Sequence, residues 1–268
     1  MPQKAFSFIK RDFIQETSYR FAFFLQIIGI FFSILTFYYL AQMFGTAAVP
    51  YLEPYGGDYF SFVLIGIAFS NYLMTGLSSF AGSIRNEQMM GTLEAMLVTP
   101  TKTSSIITFS SLWSFIFASF RVLIYLLMGV LVFNVNMTDA NFFGAVIVII
   151  LTILCFSSLG IMSASFIMVF KRGDPINWVF NMASGLLGGV LYPIAVLPDW
   201  LQNLSYFLPI TYSLRAMRLA LLQGQPMEAF ATDIIALSIF SAVMLPLGMI
   251  IFRYAVKRAK SDGTLTQY

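Results

Sequence analysis

An apolar run from position 21 to 44 is long enough to cross a hydrocarbon core of about 30 Å as one helix, and it is the first of several. Further runs occupy 60–83, 105–133, 141–170, 176–195 and 234–252. Inside a bilayer no water satisfies stray peptide groups, so the expected class is an all-α polytopic membrane protein with six transmembrane helices. Composition agrees: 59% of the 268 residues are hydrophobic and only 10% are charged, far from the balance of a water-soluble domain. The chain therefore reads as a single transmembrane domain, 1–268. The run 141–170 exceeds what a bilayer requires and is expected to tilt or protrude.

The segments between the runs set the orientation. Residues 1–20 intersperse Lys4, Lys10, Arg11 and Arg20 with Phe6, Ile9, Phe13 and Ile14, the pattern of a basic interfacial helix along the membrane surface, and no signal-peptide cleavage site follows. The stretch 196–225 is apolar yet contains Pro198, Asp199, Pro209, Arg215 and Arg218. Pro209 divides it into two pieces, each too short to span, so it reads as a re-entrant or interfacial helix pair on the outer side. On that count the inner segments hold twelve of the fifteen Lys and Arg. Both termini then face the cytoplasm, in a plasma membrane of the bacterial inner-membrane kind. Gly185 and Gly189 form a G-x-x-x-G spacing, read first as packing within one subunit and second as a contact between two.

Several chemistries are excluded. The chain has no histidine and no G-x-x-x-x-G-K-[ST] phosphate loop, so any ATP that drives it must be bound by another polypeptide. Its one cysteine, Cys155, allows no intrachain disulfide. Basic residues lie at membrane edges and form no nucleic-acid patch. Arg121 falls inside the third run, where insertion costs about 2.5 to 3.5 kcal/mol. With no Asp or Glu in any of the six runs, its counter-group is expected to be a carbonyl, a hydroxyl, Asn71 or Asn181, or an anionic ligand. Arg215 and Arg218, three apart, suit either lipid phosphates or an anchor for the outer hairpin. Trp200, Leu201, Leu204, Phe207 and Leu208 make an apolar stripe that beds in the outer interface or closes an exit.

The longest polar interruption holds a second amphipathic pattern. Met89, Met90, Leu93, Met96 and Leu97 recur at helical spacing, Arg85, Glu87, Gln88, Thr92 and Glu94 fill the other sides, and Pro100 ends it. Two Glu against one Arg suit a protein partner better than a lipid surface. Gly91 costs about 1 kcal/mol in mid-helix relative to Ala, so it reads as an allowance for close backbone approach. The docking candidates are Glu87, Met90, Gly91, Thr92, Leu93, Glu94, Met96 and Leu97.

Two blocks now point to a family. One runs from Arg85 through Gly91-Thr92-Leu93-Glu94 to Pro100; the other comprises Tyr192-Pro193, Leu197-Pro198, Trp200-Leu201, Leu204-Ser205, Pro209 and Thr211-Tyr212 to Arg218. In order and spacing the chain resembles the membrane (permease) subunit of an ATP-binding-cassette transporter of the type-2 exporter class. The resemblance implies six helices per subunit, a cytoplasmic coupling helix at 85–98, and an outer re-entrant hairpin marked by Pro193, Pro198, Trp200 and Pro209. It implies two permease copies, a homodimer ahead of a heterodimer, joined to separate nucleotide-binding ATPase subunits. No cofactor is expected on this chain, with ATP and Mg on the partner subunit. The expected substrate is a drug, lipid or glycan moved outward. The rival readings are a non-transporting membrane scaffold that recruits an ATPase and an intramembrane lipid-modifying enzyme. The enzyme is disfavoured because Arg121 is not part of an ionisable cluster at one depth.

Overall fold

The computed structural model describes residues 20–44, 49–89, 103–170 and 174–261, and among these all regular structure is helical. In chain order the helices are α1 (Arg20–Phe44), α2 (Val49–Leu52, running into a 3-10 turn at Glu53–Tyr55), α3 (Tyr59–Met89), α4 (Thr103–Leu131), α5 (Phe142–Phe170), α6 (Pro175–Leu187), α7 (Asp199–Ser205), α8 (Pro209–Leu221) and α9 (Ala231–Ser261). Among the described residues, α1, α3, α4, α5 and α9 are the five long and apolar enough to cross a membrane. The observed α1, α4 and α5 match the expected runs to within two residues. Helix α3 continues unbroken to Met89, so residues 85–89 extend the second span instead of opening a separate helix.

The expected span 176–195 is corrected. Its helix, α6, has 13 residues, or about 20 Å of rise, short of the bilayer core. It starts where Asp174 accepts the amide of Asn177, with Pro175 at the first turn, and ends at Gly188. Gly189 follows with φ +73°, a left-handed conformation that favours glycine. The Gly185/Gly189 pair therefore packs no helices within the subunit: Gly189 makes a turn, and a Cβ on Gly185 would meet nothing within 4 Å. The chain still passes between the two ends of the bundle. Asp174 accepts from Ser163 Oγ, far along α5, at 2.6 Å, while Val190 lies against Gly66 in the opening turns of α3.

Helix α3 is the centre: 72% of its span is buried, against 11% for α1. It crosses α5 where Gly76 faces Gly160, and a Cβ on Gly160 would stand 1.8 Å from the Gly76 carbonyl oxygen, so the two backbones touch. Tyr72 Oη donates to Ser119 Oγ at 2.9 Å, fastening α3 to α4. Tyr38, Phe60 and Phe133 pack edge-to-face and tilted, with centroids 4.9 to 5.3 Å apart, and hold α1 to the others.

The stretch after α6 forms two helices divided at Pro209, with Pro198 capping α7 and Pro209 in the first turn of α8. Their surroundings differ. Helix α7 exposes Trp200 and Leu204, whereas α8 is buried along most of its length. An interfacial position thus does not describe α8, which is inserted among α3, α5 and α9. Thr152 of α5 and Ser213 of α8 share a buried hydroxyl hydrogen bond of 2.7 Å. At the far end of α8, the Asn141 amide N–H donates to Ala220 O at 2.8 Å, and its side chain donates to Gln225 O at 3.0 Å.

Candidate functional site

The chemistry of this chain concentrates at the two ends of α3. One end leads into the segment expected to dock. Glu87 falls where α3 is described by its backbone alone, and Met90, Gly91, Thr92, Leu93, Glu94, Met96 and Leu97 lie outside the described residues. The expected interfacial helix, 1–20, lies outside them too except for Arg20, which opens α1.

At the other end, α8 brings two arginines into the bundle, and one turn of helix sends them to different partners. Arg215 forms a bidentate ion pair with Asp233 in the first turn of α9: Nε donates to both carboxylate oxygens at 2.9 and 3.0 Å, and Nη2 to Oδ1 at 2.5 Å. The Asp233 side chain keeps 2% of its surface exposed and that of Arg215 keeps 35%, so the pair is half sunk in the bundle. Hydrogen bonding to that carboxylate raises the Arg215 pKa and fixes its charge.

Arg218 is 2% exposed and has no carboxylate partner among the described residues. Its Nε donates to the carbonyl of Phe62 on α3 at 3.2 Å, and Nη2 to that of Val190 at 3.1 Å. The guanidinium carbon lies 3.3 Å from the centroid of the Phe62 ring and 5.8 Å from that of Tyr55. Burial lowers its pKa to about 9, which leaves it a cation at neutral pH. Gly66 makes this geometry possible. A Cβ there would stand 2.0 Å from the Val190 oxygen and 2.9 Å from Arg218 Nη2. One glycine therefore lets the chain after α6 lie directly on α3 and present a carbonyl to the arginine.

Arg121 meets neither Asn71 nor Asn181. Its guanidinium stacks 5.0 Å from the Phe117 centroid, and the Gln26 amide of α1, with its oxygen turned inward, accepts from Nε and Nη2. Asn71 donates to carbonyls of its own helix, at Ile67 and Ala68, and Asn181 sits half-buried on α6. Of the hairpin markers, Pro193 and Pro209 are buried, Pro198 is exposed and Trp200 is 66% exposed. Sequence reasoning missed Asp233, Gln26 and Gly66. Asp233 left a trace, standing one residue outside the run drawn at 234–252; Gln26 is polar inside the first run; Gly66 left none.

Residues 5–222 match the family model described as ABC-2 type transporter, a region that includes the stretch 85–98 and nearly all of the stretch 196–225. The chain is similar to the probable multidrug ABC transporter permease YbhR of Escherichia coli K12, 28% identical over 132 residues, which is 48% of this chain and 35% of that protein. It is also similar to the inner membrane transport permease YadH of the same strain, 23% identical over 171 residues, 62% of this chain and 64% of that one. The similarity thus spans about a third of the first relative and just under two thirds of the second.

Proposed function

The chain belongs to the ABC-2 type transporter family, and from that premise we propose that it is the membrane subunit of an exporter, pairing with separate nucleotide-binding ATPase subunits that hold ATP and Mg. In this reading two permease copies form a pathway through a bacterial inner membrane, both termini face the cytoplasm, and the cargo is a drug, lipid or glycan. The observation that carries the proposal is the single match over 5–222, which joins the Gly91-Thr92-Leu93-Glu94 segment to the hairpin in one chain. The unbroken α3 gives that connection a physical form, since one helix leads from the Phe62 contact with Arg218 into the docking segment.

On this proposal Glu87, Met90, Gly91, Thr92, Leu93, Glu94, Met96 and Leu97 receive the motion of the ATPase, the apolar side chains seated in a cleft and the two Glu pairing at its rim. Arg121 serves as a fastener between α1 and α4. The test is co-purification of the tagged chain with its interacting polypeptides, repeated with Leu93→Asp and Met96→Asp together. The expected result is a stoichiometric ATPase with the wild type, absent from a still-folded variant. A wild-type chain that brings no ATPase would return the scaffold and enzyme readings.

A further inference from the structure

A cavity of about 160 Å³ opens beside Arg218, bounded by the 3-10 turn at Glu53–Tyr55, the chain joining α6 to α7, and the first turns of α8. Tyr51, Tyr55, Gln202, Tyr206, Arg215 and Arg218 supply its polar lining. The volume is close to the roughly 150 Å³ that holds a benzene ring in an engineered apolar cavity, so it takes one compact group and not a whole amphiphile. The two arginines contribute unequally. Arg215 is neutralised by Asp233, whereas among the described residues Arg218 has two carbonyls and two ring faces. A guanidinium carries five N–H bonds, and among the described residues Nη1 of Arg218 has no acceptor. A cation this deeply buried is ordinarily matched by an anion. The position fits that anion to a membrane: the cavity lies at an end of the spanning helices, and exposed Tyr51 and Tyr206 line it, a residue type that collects at the level of lipid headgroups.

We propose that this cavity is a binding site for a phosphate group, that of an amphiphile's headgroup or free phosphate, held by Arg218 Nη1 with its remainder leaving past Tyr51 and Tyr206. The assignment stands on the cavity and the unmatched cation and does not depend on the ATPase reading. It goes beyond anchoring of the hairpin, because an anchor needs only the Nε and Nη2 bonds.

The test uses the full chain with its co-purifying subunits in neutral detergent, titrated calorimetrically with inorganic phosphate, with dihexanoyl phosphatidylglycerol, and with octyl glucoside as an uncharged amphiphile. Two variants accompany it. Arg218→Gln removes the cation. Ala195→Glu sets a carboxylate on the exposed rim of the same cavity and leaves every Arg218 bond in place. The expected result is saturable binding of phosphatidylglycerol, phosphate or both to the wild type, at least tenfold weaker in Ala195→Glu and lost in Arg218→Gln. Should Arg218→Gln fail to fold, Ala195→Glu decides alone. Binding of phosphatidylglycerol only identifies an amphiphile, and binding of both with phosphate competing identifies the phosphate as the recognised part. No saturable binding of either anion, binding that Ala195→Glu leaves unchanged, or equal binding of octyl glucoside would overturn the proposal.

Discussion

Arg215 and Arg218 stand three residues apart on α8, and their surroundings treat them oppositely. Arg215 has a full counter-charge at 2.5 Å, and the carboxylate it holds is the more buried of the two groups. Arg215→Ala would leave Asp233 buried and unpaired, which costs more than the pair itself is worth. The expected loss is about 3 kcal/mol, the lower end for opening a buried pair, because Arg215 keeps a third of its surface. Arg215→Ala combined with Asp233→Asn should cost less than Arg215→Ala alone. Chemical unfolding of the three variants in detergent measures both differences. A double variant no more stable than the single one would mean that lost packing of the arginine stem dominates.

At the scale of elements, two contacts on α3 bring backbone directly against backbone. The α3 contact with Val190 depends on Gly66, and the α3 crossing with α5 depends on Gly76 and Gly160. Gly66→Ala places a methyl 2.0 Å from a backbone carbonyl that Arg218 also holds. The expected cost is about 3 kcal/mol, the top of the usual range for overpacking, since no side chain can rotate away. Gly29→Ala in α1, where a Cβ meets nothing within 4 Å, should be neutral or slightly stabilising. Thermal unfolding of the two variants side by side tests the contrast. The same contrast explains what the sequence could reveal. Long apolar runs fixed α1, α4 and α5 closely, and Pro198 and Pro209 marked the divided hairpin, because length and proline act locally. The end of α6 at Gly188 was hidden because the apolar run continues past it, and the burial of α8 because the helices that cover it, α3, α5 and α9, are supplied from other parts of the chain. The pairing of Arg215 with Asp233 was half visible, both residues being present but separated by 18 positions and a turn that contains Pro226.

For the whole molecule, one face left without a partner among the described residues is that of α6, where Trp178, Val179, Met182 and Leu186 are all more than half exposed and Gly185 is open. In a permease that works as a pair, this face is the proposed contact between copies. Cys155 is the chain's one cysteine, so a Cys155→Ala background makes the test simple. Oxidation of Gly185→Cys in membranes is expected to give a covalent dimer, as is oxidation of Met182→Cys. No dimer from either would assign the face to lipid.

Helix α3 touches α5 backbone to backbone at Gly76, almost midway along its 31 residues. From that crossing to Phe62, where the helix meets Arg218, is about 21 Å, and to Met89, the last residue of the helix and already inside the proposed docking segment, about 20 Å at 1.5 Å per residue. A rod resting on a fulcrum at its middle neither amplifies nor diminishes what it is given. If α3 tilts as a unit about this crossing, a push of a few ångströms on the docking side returns as an opposite swing of nearly equal size at the hairpin.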